Sequence, residues 1–185
     1  AIAMSHQAYT WPSIWPDKMD DATKPGWAGS WNGYFGRDQK NSDEESFYAM
    51  DDWSFKKKVD GLPLPRPIAS ESQRGGIGLR QNVRGLQWSN PDAQDCIFWI
   101  YEIKNIGELY HTKTIFGLNV GASIGATISD NTDYDDDCAT FYRELDLTVN
   151  YDWDNIGTAG YSPVPWVGYA FLESPGNARD GIDND

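Results

Sequence analysis

The chain has 185 residues, a formal net charge of −13, and 14% aromatic residues that include nine Trp and ten Tyr. So acidic a chain argues against nucleic acid or an anionic membrane surface as partner, since phosphates call for Lys and Arg. So many aromatics argue against disorder. The length suits one large domain that removes roughly 70% of its unfolded surface from water. No apolar run approaches the ~20 residues of a membrane-spanning helix, and Lys56-Lys57-Lys58, the one basic cluster, reads as a solvated edge.

Residues 1–74 are dense in Trp, Pro, Gly and Asp, with Trp11-Pro12, Trp15-Pro16, Pro25-Gly26-Trp27 and Trp31-Asn32-Gly33-Tyr34-Phe35-Gly36. Prolines at this frequency interrupt helices and central strands. The segment is therefore expected to be irregular and to wrap a sheet, with one helical turn over Asp17–Thr23 and one short strand at Ser46–Met50. Leu62–Pro67 reads as a polyproline-II connector. From Gly75 the pattern becomes strand-like, and the span 75–179 is expected to form the core. Ile77–Trp88 reads as a strand bent or bulged at a glycine. Cys96–Asn105 alternates with apolar residues on both faces, and Tyr110–Val120 is expected to return beside it as a hairpin. Phe141–Tyr151 and Val167–Leu172 supply two more strands. The expected fold is all-β, an antiparallel β-sandwich with a long irregular Trp/Pro-rich N-terminal segment.

Acidic residues punctuate this pattern. Asp130, Asp133, Asp135, Asp136 and Asp137 place five carboxylates within eight residues. Asp180, Asp183 and Asp185 form the start of an Asp/Asn loop over 180–185, expected to continue in a longer parent protein. Crowded carboxylates separated by Gly and Asn suit Ca²⁺, a hard cation that takes six to eight oxygens. The spacing is not that of an EF-hand, which needs Gly at the sixth position and Glu at the twelfth. A solvated acidic turn explains Asp130–Asp137 equally well. Asp152 and Asp154 could add ligands, although a polar strand end accounts for them too. Cys96 opens a strand and Cys138 follows the acidic run, so a disulfide between them would tie that loop to the sheet in an oxidising compartment. Two unrelated buried thiols are the alternative.

Trp11, Trp15, Trp27, Trp31 and Tyr34 are candidates for stacking on sugar rings, set against the commoner role of Trp as a core peg with one satisfied N–H. Glycoside hydrolysis needs two facing carboxylates. Asp51, Asp52, Glu102 and Glu173 are available, as some such pair always is in an acidic chain. There is no Gly-x-Ser-x-Gly elbow, and neither His6 nor His111 has a nucleophile signature.

Several stretches resemble domains of large, uncharacterised secreted proteins of environmental bacteria, chains that often end in a secretion-sorting domain. They are Trp15–Asp21, Gly26–Gly36, Glu45–Asp52, Gly85–Trp88, Ile97–Ile103, Gly168–Asn177 and Asp180–Asp185. The resemblance implies an extracellular, cell-surface or periplasmic setting and a longer parent, and it carries no catalytic residues. Cys96 and Cys138 depart from its pattern. The functional expectation is a non-catalytic, Ca²⁺-stabilised structural or assembly module whose partners are other domains or subunits of a surface assembly. A carbohydrate-binding module and a fragment of a glycan-acting hydrolase are the alternatives.

Overall fold

A computed structural model describes residues 2–55, 67–126 and 135–173. The architecture is all-β and antiparallel, built from nine strands and five single 3-10 turns among the described residues. No helix among them is long and apolar enough to cross a membrane. The chain divides into two compact units, Ala1–Thr114 and Ile115–Asp185.

The first unit carries β1 (Ala3–Met4), β2 (Asn32–Gly33), β3 (Gly36–Arg37), β4 (Glu44–Asp51), β5 (Leu79–Gln87) and β6 (Ile97–Asn105). β1, β4, β5 and β6 form one sheet in that order, and β2 pairs with β3 as a small hairpin. The strand expected at Ser46–Met50 thus lies inside β4, and the turn expected near Asp17 is the 3-10 turn Pro16–Lys18. β5 is central, with Asn82 to Leu86 all buried. It carries no bulge: eight consecutive pairs join it to β4 and nine to β6. Gly85 serves close approach instead. A Cβ there would stand 2.8 Å from Ser46 Oγ and 2.9 Å from the Trp99 ring on β6.

The Trp-rich segment supplies the core of this unit. Trp15 and Trp31 are fully covered and pack with Ala3 and Phe47, while Trp11 and Trp27 lie against them half-buried. Trp15 meets Trp31 and Phe47 edge-on, with ring centroids 5.6 and 5.4 Å apart. Such pairs add about 0.5–1.5 kcal/mol each beyond their burial. Every indole N–H in the cluster has an acceptor: Met4 O for Trp11, Ser30 O for Trp15, Asp21 Oδ2 for Trp27 and Glu45 Oε2 for Trp31. Buried charge is treated the same way. Arg84 donates to Asn32 O and Oδ1 and lies over Phe47. Burial pushes its pKa down, against Asp17, Glu45 and Glu102, which hold it up.

β6 and the segment after it differ from expectation. The strand forms where the alternation places it, but as the edge of the sheet, with Ile97, Phe98, Trp99 and Ile103 exposed rather than covered on both faces. Tyr110–Val120 forms no strand, so the expected hairpin is absent. The ties of the intervening turn explain this. Ile106 N–H donates to Gly78 O, Glu108 N–H donates to Pro67 O, and His111 Nε2 lies 3.1 Å from Ile77 O. Gly78 and Ile77 lead into β5, so these contacts carry the chain toward the β5 side of β6 and away from its outer edge.

The second unit carries β7 (Asp137–Tyr142), β8 (Leu147–Asp152) and β9 (Val167–Ala170), paired in that order. The single strand expected over Phe141–Tyr151 is broken by a 3-10 turn, Arg143–Leu145, and by Asp146 in the left-handed region at φ 45°. β7 and β8 are therefore a hairpin. Val149, Val164 and Ile124 are its buried apolar residues.

Candidate metal centre

The carboxylates of Asp136, Asp152 and Asp154 converge, one oxygen of each lying within 4.8 Å of the others. β8 and the loop after it place two of them. Asp152 closes the strand with only 3% of its surface exposed. Its Oδ1 accepts the N–H groups of Asn155 at 2.5 Å and Ile156 at 3.3 Å, wrapping the following loop around the side chain. Asp154 Oδ1 accepts Ile156 N–H at 2.9 Å. Asn155 sits in the left-handed region at φ 62°, which Asn tolerates better than most residues, and its Oδ1 accepts Val164 N–H. Gly157 ends the wrap, where a Cβ would stand 2.8 Å from Gly125 O. The third carboxylate comes from across the hairpin. Trp153 N–H donates to Asp136 O one residue beyond the end of the ladder, which sets Asp136 beside the loop.

One atom gives this cluster its chemical meaning. Asp152 Oδ2 is buried and has no hydrogen-bond partner. An unsatisfied buried carboxylate oxygen costs several times more than a neutral polar atom. The carboxylate that carries it converges with two others. Asp154 records the crowding: the Ile156 N–H lowers its pKa, but desolvation and the Asp152 and Asp136 carboxylates outweigh that donor, and the net shift is upward. A divalent cation would answer both the unpaired oxygen and the repulsion, with Asp136, Asp152 and Asp154 as ligands. Ca²⁺ fits the all-oxygen donor set, and exposed Asp136 and Asp154 leave room for water to complete the shell.

The acidic residues singled out from sequence fall into three groups. Asp136 belongs to the cluster. Asp135 is exposed outside it, and Asp137 is engaged elsewhere, its carboxylate accepting Ile124 N–H at 3.0 and 3.3 Å. Asp130, Asp133, Asp180, Asp183 and Asp185 lie outside the described residues. The centre of the cluster, Asp152 and Asp154, ranked second to the denser acidic run. The signal that finds them is the order Asp152-Trp153-Asp154-Asn155-Ile156-Gly157, two acids two apart with a glycine closing the turn. Cys96 and Cys138 are free thiols in the structure, the first exposed and the second half-buried. Cys138 Sγ lies 3.7 Å from Asp136 O.

Among the candidate stacking residues, Trp15 and Trp31 have no face left for a ligand, Trp11 and Trp27 are half-buried and Tyr34 is half-exposed. Tyr34 meets Phe35 edge-on at 85°, which does not make a flat shelf. Of the carboxylates weighed for hydrolysis, Glu173 is exposed, and the other three are engaged. Asp51, Asp52 and Glu71 surround the buried Arg74, and Glu102 accepts Asn82 Nδ2. Ser5, His6 and Glu44 do meet, but His6 Nδ1 faces both Ser5 Oγ at 3.1 Å and Glu44 Oε2 at 3.4 Å. A relay needs the hydroxyl and the carboxylate on opposite ring nitrogens, and Ser5 is buried besides.

Comparison with protein-family models, curated proteins and solved structures finds no match.

Proposed function

We propose that this chain is a non-catalytic structural module of an extracellular or cell-surface protein, stiffened by Ca²⁺ at Asp136, Asp152 and Asp154. The observation that carries the reading is the buried Asp152 carboxylate, with one oxygen unpartnered, converging with two more carboxylates. Its support from composition is the net charge of −13, which favours divalent cations over anionic partners. The resemblance of its Trp-rich and acidic segments to secreted bacterial domains supports the setting. Tb³⁺, which replaces Ca²⁺ in oxygen sites, tests this directly through emission sensitised by Trp153, an exposed indole between two of the ligands. Sensitised emission that Ca²⁺ displaces, and that Asp152→Asn abolishes, is the expected result. A Ca²⁺ dissociation constant of about 0.1–1 mM would match extracellular modules. Emission unchanged by Asp152→Asn would remove the site.

The carbohydrate-binding alternative keeps one observation. Tyr151 and exposed Trp166 lie 5.2 Å apart with their planes 32° from parallel. Retardation by neutral polysaccharides in affinity electrophoresis, lost in Trp166→Ala, would favour it.

A further inference from the structure

We infer that the outer edge of β6 is an assembly surface that takes residues 110–118 of a second copy of this chain as an added antiparallel strand. The inference deepens the structural-module reading and rests on it.

β6 is a nine-residue edge strand whose only strand neighbour among the described residues is β5. Edge strands are ordinarily kept short, bulged, interrupted by Pro or charged, and β6 has none of the first three devices, only the charges of Glu102 and Lys104. Tyr110–Val120 is its counterpart: Tyr110, Thr112, Thr114, Phe116, Leu118 and Val120 alternate as in a strand, yet the segment belongs to no sheet. Tyr110 is 89% and Ile115 81% exposed.

One antiparallel register matches the two sequences. Placing Glu102 opposite Lys113 also sets Ile100 against Ile115, Trp99 against Phe116 and Ile97 against Leu118. Lys113 has no ion-pair partner among the described residues. Opposite charges and aromatic or β-branched residues facing each other are the pairs that stabilise a ladder. The same chain does not supply the strand, because Ile106, Glu108 and His111 are held on the β5 side by Gly78, Pro67 and Ile77. A second copy meets no such constraint, and reciprocal exchange closes a two-fold dimer.

Sedimentation velocity of the wild-type chain, with Ca²⁺ and with EDTA, should show a concentration-dependent dimer. Glu102→Lys and Lys113→Glu should each weaken it by about three- to tenfold, and the double exchange should restore it. Thr114→Pro removes the N–H that the added strand would turn toward Tyr101 on the outer edge of β6, at an exposed position, and should give a folded monomer by circular dichroism. Register is read in a chain carrying Cys96→Ser and Cys138→Ser together with Tyr101→Cys and Thr114→Cys. Oxidation should give a covalent dimer on a non-reducing gel. A wild-type monomer at every concentration, a purely intramolecular crosslink, or a failure of the double exchange to rescue would each overturn the inference. Tb³⁺ binding in the Thr114→Pro chain separates the two readings: if it persists while assembly fails, the ion site stands alone.

Discussion

The two units handle their carboxylates in opposite ways. In the first, each key carboxylate is surrounded by donors. Asp21 is held well below the usual carboxylate range by the Trp27 indole N–H, then by the Thr23 hydroxyl and the N–H groups of Lys24 and Thr23. Asp43 is lowered by the Ser89 hydroxyl and N–H. Burial pushes Asp52 up, but N–H groups of Ile77, Leu79 and Gly78, with Arg74, outweigh it and lower its pKa. In the second unit three carboxylates face one another, one is buried with an unpaired oxygen, and Asp154 is pushed upward. The first arrangement is complete within the chain. The second leaves a carboxylate oxygen without a partner among the described residues.

The largest effect that would sharpen this contrast is at Trp31. Trp31→Ala empties the middle of the core and strands Glu45, so it should cost the first unit about 3–5 kcal/mol in urea unfolding. Glu45→Ala leaves the Trp31 indole and Asn41 N–H without their acceptor and should cost about 2–3 kcal/mol. Neither should alter Tb³⁺ emission. A loss of ion binding in either variant would break the separation between the units.

Asp152→Asn is the complementary case in the second unit. Its Oδ1 still accepts the Asn155 and Ile156 N–H groups, while its charge is gone. In EDTA its melting temperature should equal or exceed that of the wild type, since repulsion is relieved. In saturating Ca²⁺ it should forgo the linkage stabilisation, about 2.7 kcal/mol at a hundredfold excess over the dissociation constant. Wild-type behaviour in Ca²⁺ would place the ion elsewhere.

The pH dependence of the first unit has a definite sign. Asp21, Asp43 and Asp52 have folded pKa values below the unfolded one. Their stabilisation is therefore present above the unfolded value near 4 and is lost as pH falls through the folded values. Urea midpoints for this unit should hold from pH 7 to about 5 and drop below 4. Asp52→Asn should flatten the acid limb, the smallest effect of the series.

How much of this was legible in the sequence depends on the physical origin of each feature. Alternation placed β6, because period two is a local property of Ile97–Ile103. The Trp cluster was legible as pegs, since indoles in a Pro-rich segment need cover. The turn inside Phe141–Tyr151 was not: Arg143-Glu144-Leu145-Asp146 holds no Gly or Pro, and its left-handed residue is an Asp. The hairpin after β6 failed because backbone ties to Gly78 and Pro67, distant in sequence, redirect the chain. The acidic run marked the neighbourhood of the carboxylate cluster and contributed Asp136. Its centre at Asp152 depends on burial and on pairing across β7 and β8, which a count of carboxylates does not reveal.

The most direct test of the account is thermal unfolding of EDTA-stripped protein, repeated in millimolar Ca²⁺, for the wild type and Asp152→Asn side by side. The account predicts a rise of several degrees in the wild type and none in the variant. Identical melting of the wild type in EDTA and in Ca²⁺ would contradict it and leave Asp136, Asp152 and Asp154 as a strained acidic turn.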